Sequence, residues 1–82
     1  MNKEASKYLV VIEKGPRSYG AFVPDLPGCV AVAKTAREVR RLIREAIDLH
    51  VMDMRERGER IPKPAASIEY VSARNGRRRK AA

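Results

Sequence analysis

The sequence predicts an α+β domain with the element order β-β-β-α-β, its four strands arranged 3-2-1-4 and one helix packed on one face of the sheet. Three observations predict it. β-Branched and aromatic runs before residue 34 are broken by Gly and Pro, a helix-period apolar pattern stands behind a capping box at residues 35–57, and a last alternating run fills 67–71. The 82 residues leave room for a single domain, expected at 1–73, with a basic, disordered tail expected at 74–82. Aromatics at 5% and no tryptophan make the core aliphatic, while 44% hydrophobic and 34% charged residues fit a soluble globular chain.

Residues 1–6 are polar and read as a frayed end. Tyr8, Leu9, Val10, Val11 and Ile12 make a strand, with Tyr8, Val10 and Ile12 on one face and Leu9 and Val11 on the other. Apolar residues on both faces suit a strand in the interior of the sheet. Gly15, Pro16, Arg17 and Ser18 supply the turn into a second strand at 19–23, which Pro24 ends. Two prolines and a glycine in Pro24-Asp25-Leu26-Pro27-Gly28 form a rigid corner that cannot continue a ladder. A third strand at 29–33 carries Val30 and Val32 on one face and small side chains on the other, leaving room for a packed neighbour.

Thr35-Ala36-Arg37-Glu38 is a capping box: the Thr35 hydroxyl accepts from the Glu38 N–H, and a helix starts there. At 100° per residue Ala36, Val39, Leu42, Ile43, Ala46, Ile47, Leu49, His50 and Met54 gather into one apolar sector, so the helix continues to about residue 57, with Gly58 as its cap. About 22 residues span roughly 33 Å, longer than a six-residue strand of about 20 Å, so the helix overhangs the sheet. Ile61-Pro62-Lys63-Pro64 is an extended linker into a fourth strand at 67–71, with Ile68 and Tyr70 opposed to Glu69 and Val71. A right-handed crossover brings that strand beside the first. One helix covers one face only, so Leu9 and Val11 or their alternates stay bare unless another chain covers them, which predicts a homo-dimer, a higher homo-oligomer or a partner protein.

Eighteen Lys and Arg against ten Asp and Glu give +8, but five of the cations lie in 74–82, so residues 1–73 carry only 13 minus 10, or +3. One cysteine, Cys29, excludes an internal disulfide, and with the single His50 it cannot build a tetrahedral zinc site. Glu13 and Glu69 on strands and Asp25 in a loop are too few for two-metal hydrolysis. The chain is therefore read as a non-enzyme without catalytic residues, metal or cofactor. No apolar run reaches membrane-span or signal-peptide length, which predicts a cytoplasmic protein with no membrane partner.

Several residues have both a functional and a plain structural reading. Asp25 in the rigid corner could meet a partner, or hydrogen-bond its own turn. Arg37, Arg40, Arg41 and Arg44 form a basic stripe opposite the apolar sector that could grip phosphates, or a solvated face paired Arg41 to Glu45 and Arg44 to Asp48. Arg77, Arg78, Arg79 and Lys80 in the tail attract nucleic acid without sequence selectivity, or simply solubilise the end. His50 reads as a packed, hydrogen-bonded core histidine and Cys29 as a small buried hydrophobe.

The run Tyr19-Gly20-Ala21-Phe22-Val23-Pro24-Asp25-Leu26-Pro27-Gly28-Cys29, followed by Thr35 with Glu38, Glu45-Ala46-Ile47, Gly58-Glu59 and Ile61-Pro62-Lys63-Pro64, resembles the HicB-like antitoxin family from about Tyr8 to Tyr70. The resemblance implies a truncated ribonuclease-H-like β-β-β-α-β fold without nuclease residues. It also implies assembly into dimers or larger oligomers, and silencing of a small HicA-type toxin that cleaves mRNA. Many members continue into a C-terminal DNA-binding domain, and with Arg74 to Ala82 after the last expected strand this reading expects none here. On this reading Pro24, Asp25, Leu26, Pro27 and Gly28 form the partner-binding corner, with Tyr19 and Phe22 as aromatic anchors. The alternative is a small nucleic-acid-binding or regulatory protein that uses the helix stripe and the tail.

Overall fold

The computed structural model describes residues 6–74. Strand β1 is Val11–Lys14, β2 is Tyr19–Phe22, β3 is Val30–Ala33, and helix α1 is Ala36–Glu56. The three strands form an antiparallel sheet in the order β1-β2-β3, so the α+β class and the 3-2-1 part of the expected order are present. A fourth strand is not found among the described residues. Residues 67–71 form no ladder, so β1 lies at the edge of the described sheet rather than in its interior, and the ribonuclease-H-like four-stranded order is not confirmed.

Hydrogen-bond geometry explains why β1 lies at 11–14 instead of 8–12. The hairpin turn closes with the Gly15 N–H donating to the Ser18 carbonyl at 2.7 Å, which brings Lys14 opposite Tyr19 and Val11 opposite Phe22. Beyond Phe22 the partner strand turns away. The Val23 N–H donates to the Cys29 carbonyl and Pro24 has no N–H to offer, so residues 8–10 have no ladder to join on that side.

Alternation sorts the side chains. Ala21, Val23, Cys29 and Ala33 are buried with Val39 and Ile43 of α1 and with Leu26 of the corner, while Tyr8, Val10, Tyr19 and Ala31 pack around them. Small residues on β2 and β3 let the helix lie close, as expected from Ala31 and Ala33. The helix starts at Thr35, whose Oγ1 accepts from the Glu38 N–H at 3.0 Å. It stops in a Schellman motif: Glu59 N–H donates to the Met54 carbonyl and Gly58 N–H to that of Arg55, with Gly58 at φ 72°. Leu49, expected in the apolar sector, is exposed, whereas Val51 packs against the core.

Candidate protein-docking site

The corner is built by its own backbone. Leu26 N–H donates to the Val23 carbonyl and Cys29 N–H to the Leu26 carbonyl, each at 3.0 Å, while Gly28 takes φ 88°, a left-handed value that side chains disfavour. Leu26 is fully buried and seats the corner on the core; Pro24, Pro27 and Gly28 are exposed. Leu26 therefore has no surface to offer a partner, and what it contributes is the corner's rigid placement.

Asp25 bonds outside its own turn. Its Oδ2 accepts from the backbone N–H groups of Ala65 and Ala66, both at 3.0 Å, two successive donors forming a small anion cradle. The Tyr8 hydroxyl donates to the Pro62 carbonyl. Together these bonds fix residues 62–66 against the corner and the lead-in to β1.

The face away from α1 is bare. Val11, Phe22 and Val30 stand side by side across the three strands, and Glu13, Gly20 and Val32 make the next row. Phe22, Val30 and Val32 are 39%, 60% and 67% exposed. The first row lies at the corner end of the sheet, since Phe22 leads into Pro24 and Val30 follows Gly28 by two residues. Tyr19 lies on the opposite face, against the core, so the two aromatics point to different surfaces and only Phe22 shares a face with the bare row. Sequence reasoning placed bare apolar side chains here but did not name Val11, Val30 and Val32 as site residues; the period-two alternation of all three strands was the available signal.

The basic stripe divides. Arg41 pairs with Glu45 at 3.2 Å and approaches Glu38 at 3.9 Å, whereas the expected Arg44–Asp48 pair does not form. Among the described residues Arg37, Arg40 and Arg44 have no acidic partner. Arg40 and Arg44 are not opposite the apolar sector but beside it: with Val10, Ile12 and Ile43 they line a cavity of about 210 Å³ on the β1 flank of the helix. On the other flank Leu49 and His50 line an open cavity of about 490 Å³ with Gly28, Cys29 and Val30. His50 is half-buried and, against expectation, makes no side-chain hydrogen bond with the described residues. Arg77, Arg78, Arg79 and Lys80 lie outside the described residues.

Burial pushes the Cys29 thiol above its ordinary pKa, which suits an inert core residue rather than a nucleophile. Among the described residues no three His, Cys, Asp or Glu side chains converge as metal ligands, and no helix is long and apolar enough to cross a membrane. The most exposed apolar side chains on the described strands are Val30 and Val32, with Phe22 beside them on the same face.

Comparison with known proteins places these surfaces in context. Residues 8–79 match a family described as HicB-like antitoxin of bacterial toxin–antitoxin system. The chain is 35% identical over 65 residues to an uncharacterized 14.9 kDa protein of Haemophilus phage HP1, the match covering 79% of this chain and 49% of that protein. A UPF0150 protein of Helicobacter pylori is 50% identical over 44 residues, 54% of this chain and 61% of its own length. A UPF0150 protein of Thermoplasma acidophilum is 38% identical over 68 residues, 82% of this chain and 99% of its own. The chain thus spans about half of the phage relative and nearly all of the Thermoplasma one.

Proposed function

The chain belongs to the HicB-like antitoxin family of bacterial toxin–antitoxin systems, and on that premise we propose that it silences a small HicA-type, mRNA-cleaving toxin by covering it. The observation that supports this most is the exposed pair Phe22 and Val30, with half-buried Val11 in the same row, beside the exposed prolines of the corner. Apolar surface next to a rigid, prefolded loop binds with little ordering cost, and an aromatic set among aliphatic neighbours is a common energetic centre of interfaces. Pro24, Pro27 and Gly28 extend that surface, Asp25 and Leu26 hold it in shape, and Tyr19 supports it from the core side. The chain acts by occupancy in the cytoplasm, without a catalytic step or cofactor, so neutralisation follows stoichiometry.

Co-expression with a small HicA-type toxin, sought as a small basic reading frame beside the one for this chain, tests this. The expected result is rescued growth and a co-eluting complex, both lost with Phe22→Asp while the variant keeps its own fold. Absence of a complex with the unaltered chain would overturn the proposal.

One observation favours a second reading: Arg37, Arg40 and Arg44 are exposed and lack acidic partners among the described residues. Guanidinium groups so placed can release counterions from a phosphate backbone. Affinity for RNA or operator DNA that survives physiological salt and discriminates sequence, measured with and without residues 74–82, supports a nucleic-acid-binding role; affinity that vanishes with salt removes it.

A further inference from the structure

Among the described residues β1 pairs with β2 alone, so its other side keeps unpaired N–H and C=O groups, the feature by which a sheet recruits another strand. The chain's own C-terminal arm passes that edge without joining it. Ser67, Ile68, Glu69 and Tyr70 face Leu9, Val10, Val11 and Ile12 across an open cleft of about 510 Å³. Upstream, Asp25 holds the N–H groups of Ala65 and Ala66 while Tyr8 holds the Pro62 carbonyl, and these anchors set where the arm leaves the corner. Past them Ile68, Tyr70 and Val71 are 63%, 91% and 77% exposed, although their residue types and alternation suit a strand.

The molecule therefore carries a strand edge without a strand and a strand-like arm without an edge, kept apart by the arm's own anchoring. We infer that two copies of this chain exchange arms, residues 67–71 of each pairing along β1 of the other. The exchanged arm lays Ile68 and Tyr70 over Val10 and Ile12, beside Arg40 and Arg44, which line a cavity with those two residues. An aromatic ring there meets cations free of acidic partners among the described residues, a favourable contact, and Glu69 brings a negative charge close to them. The contact is isologous: each copy gives an arm and receives one, so both β1 edges are covered and growth stops at a dimer. This inference goes beyond the antitoxin reading and needs no toxin, so its test is made on the chain by itself.

One population carries Leu9→Cys and a second Ile68→Cys, both retaining the buried native Cys29, and the two are co-expressed and oxidised. Arm exchange predicts a disulfide joining the two different variants, identified by mass. It also predicts that the unaltered protein sediments at twice its 9.2 kDa chain mass, falling to once that mass with Ile68→Lys, a change at an exposed position that leaves the core intact. A monomeric unaltered protein overturns the inference, as does a disulfide that closes only within one chain when a single chain carries both Leu9→Cys and Ile68→Cys. A dimer that persists with Ile68→Lys and gives no mixed disulfide also overturns it, because the contact then lies elsewhere, with the bare outer row as its place.

Discussion

Both anchors of the C-terminal arm are single side chains, and the consequences of removing them can be sized. Asp25→Ala leaves two backbone N–H groups without their carboxylate, and hydrogen bonds to a charged group are worth about 1.5–3 kcal/mol each. With Asp25 only half-buried, water replaces part of that, so the expected loss is about 1–2 kcal/mol in denaturant unfolding. Amide exchange should speed up at Ala65 and Ala66 while α1 stays protected. Cys29 supplies a pH signature. Its folded pKa is raised from 9.0 by burial, so the folded chain holds this proton to higher pH than the unfolded one. Its contribution to stability is complete below about pH 9 and is lost as pH rises through the raised folded value. Unfolding midpoints should be flat from neutrality to about pH 8 and fall at higher pH, a fall that Cys29→Ala removes. Cys29 as a small buried hydrophobe was legible from residue type and strand position. Asp25 was not, because its partners lie 40 and 41 residues away and no local pattern announces them.

At the scale of elements, α1 was the most legible part of the chain. Thr35 with Glu38 marked its start and Gly58 its end, since both signals act through backbone groups only a few residues away. Thr35→Ala should cost about 1 kcal/mol through the lost cap. Gly58→Ala should cost about 1–2 kcal/mol, because φ 72° is disfavoured for any residue with a Cβ. Thermal unfolding of both variants checks these values, and equal stability in both would mean that the helix ends contribute nothing. Periodicity alone missed which flank each residue serves. Leu49 belongs to the helical sector by angle, yet it lines the open cavity beside Gly28, Cys29 and Val30 and remains exposed. Arg40 and Arg44 fall on the polar side of the same wheel but line one cavity with Val10 and Ile12, a position in which a long aliphatic stem can cover apolar surface while the charge stays exposed. Only the crossing of helix over sheet decides this.

The whole molecule is a sheet covered on one side. A helix on one face and a bare row on the other predicts that Phe22→Asp, or Val30→Asp, will weaken any complex formed through that row by at least tenfold, as expected for the loss of about 1.4 kcal/mol or more at an interface centre. Because both side chains are substantially exposed in the free chain, the melting temperature should change little. Titration calorimetry with the purified partner against the melting curve of each variant separates the two effects. A loss of fold together with binding would assign Phe22 to stability instead. The bare face followed from counting elements, one helix for a two-faced sheet. That residues 67–71 form no ladder did not follow, because they have the right alternation, and the hydrogen bonds that hold the arm at Pro62, Ala65 and Ala66 come from residues far along the chain.

By itself the sequence determined the α+β class, the hairpin and corner, the helix with both of its ends, and which residues of each strand share a face. Those are consequences of local chemistry: the backbone limits of Gly and Pro, capping within one turn, and the periods of helix and strand. Tertiary structure decided that Asp25 serves the arm rather than its own turn, that β1 keeps an open edge among the described residues, and that Arg40 and Arg44 line a cavity with Ile12 beside it. Each of these depends on where groups distant along the chain meet, and that is set by packing and hydrogen-bond competition across the whole fold.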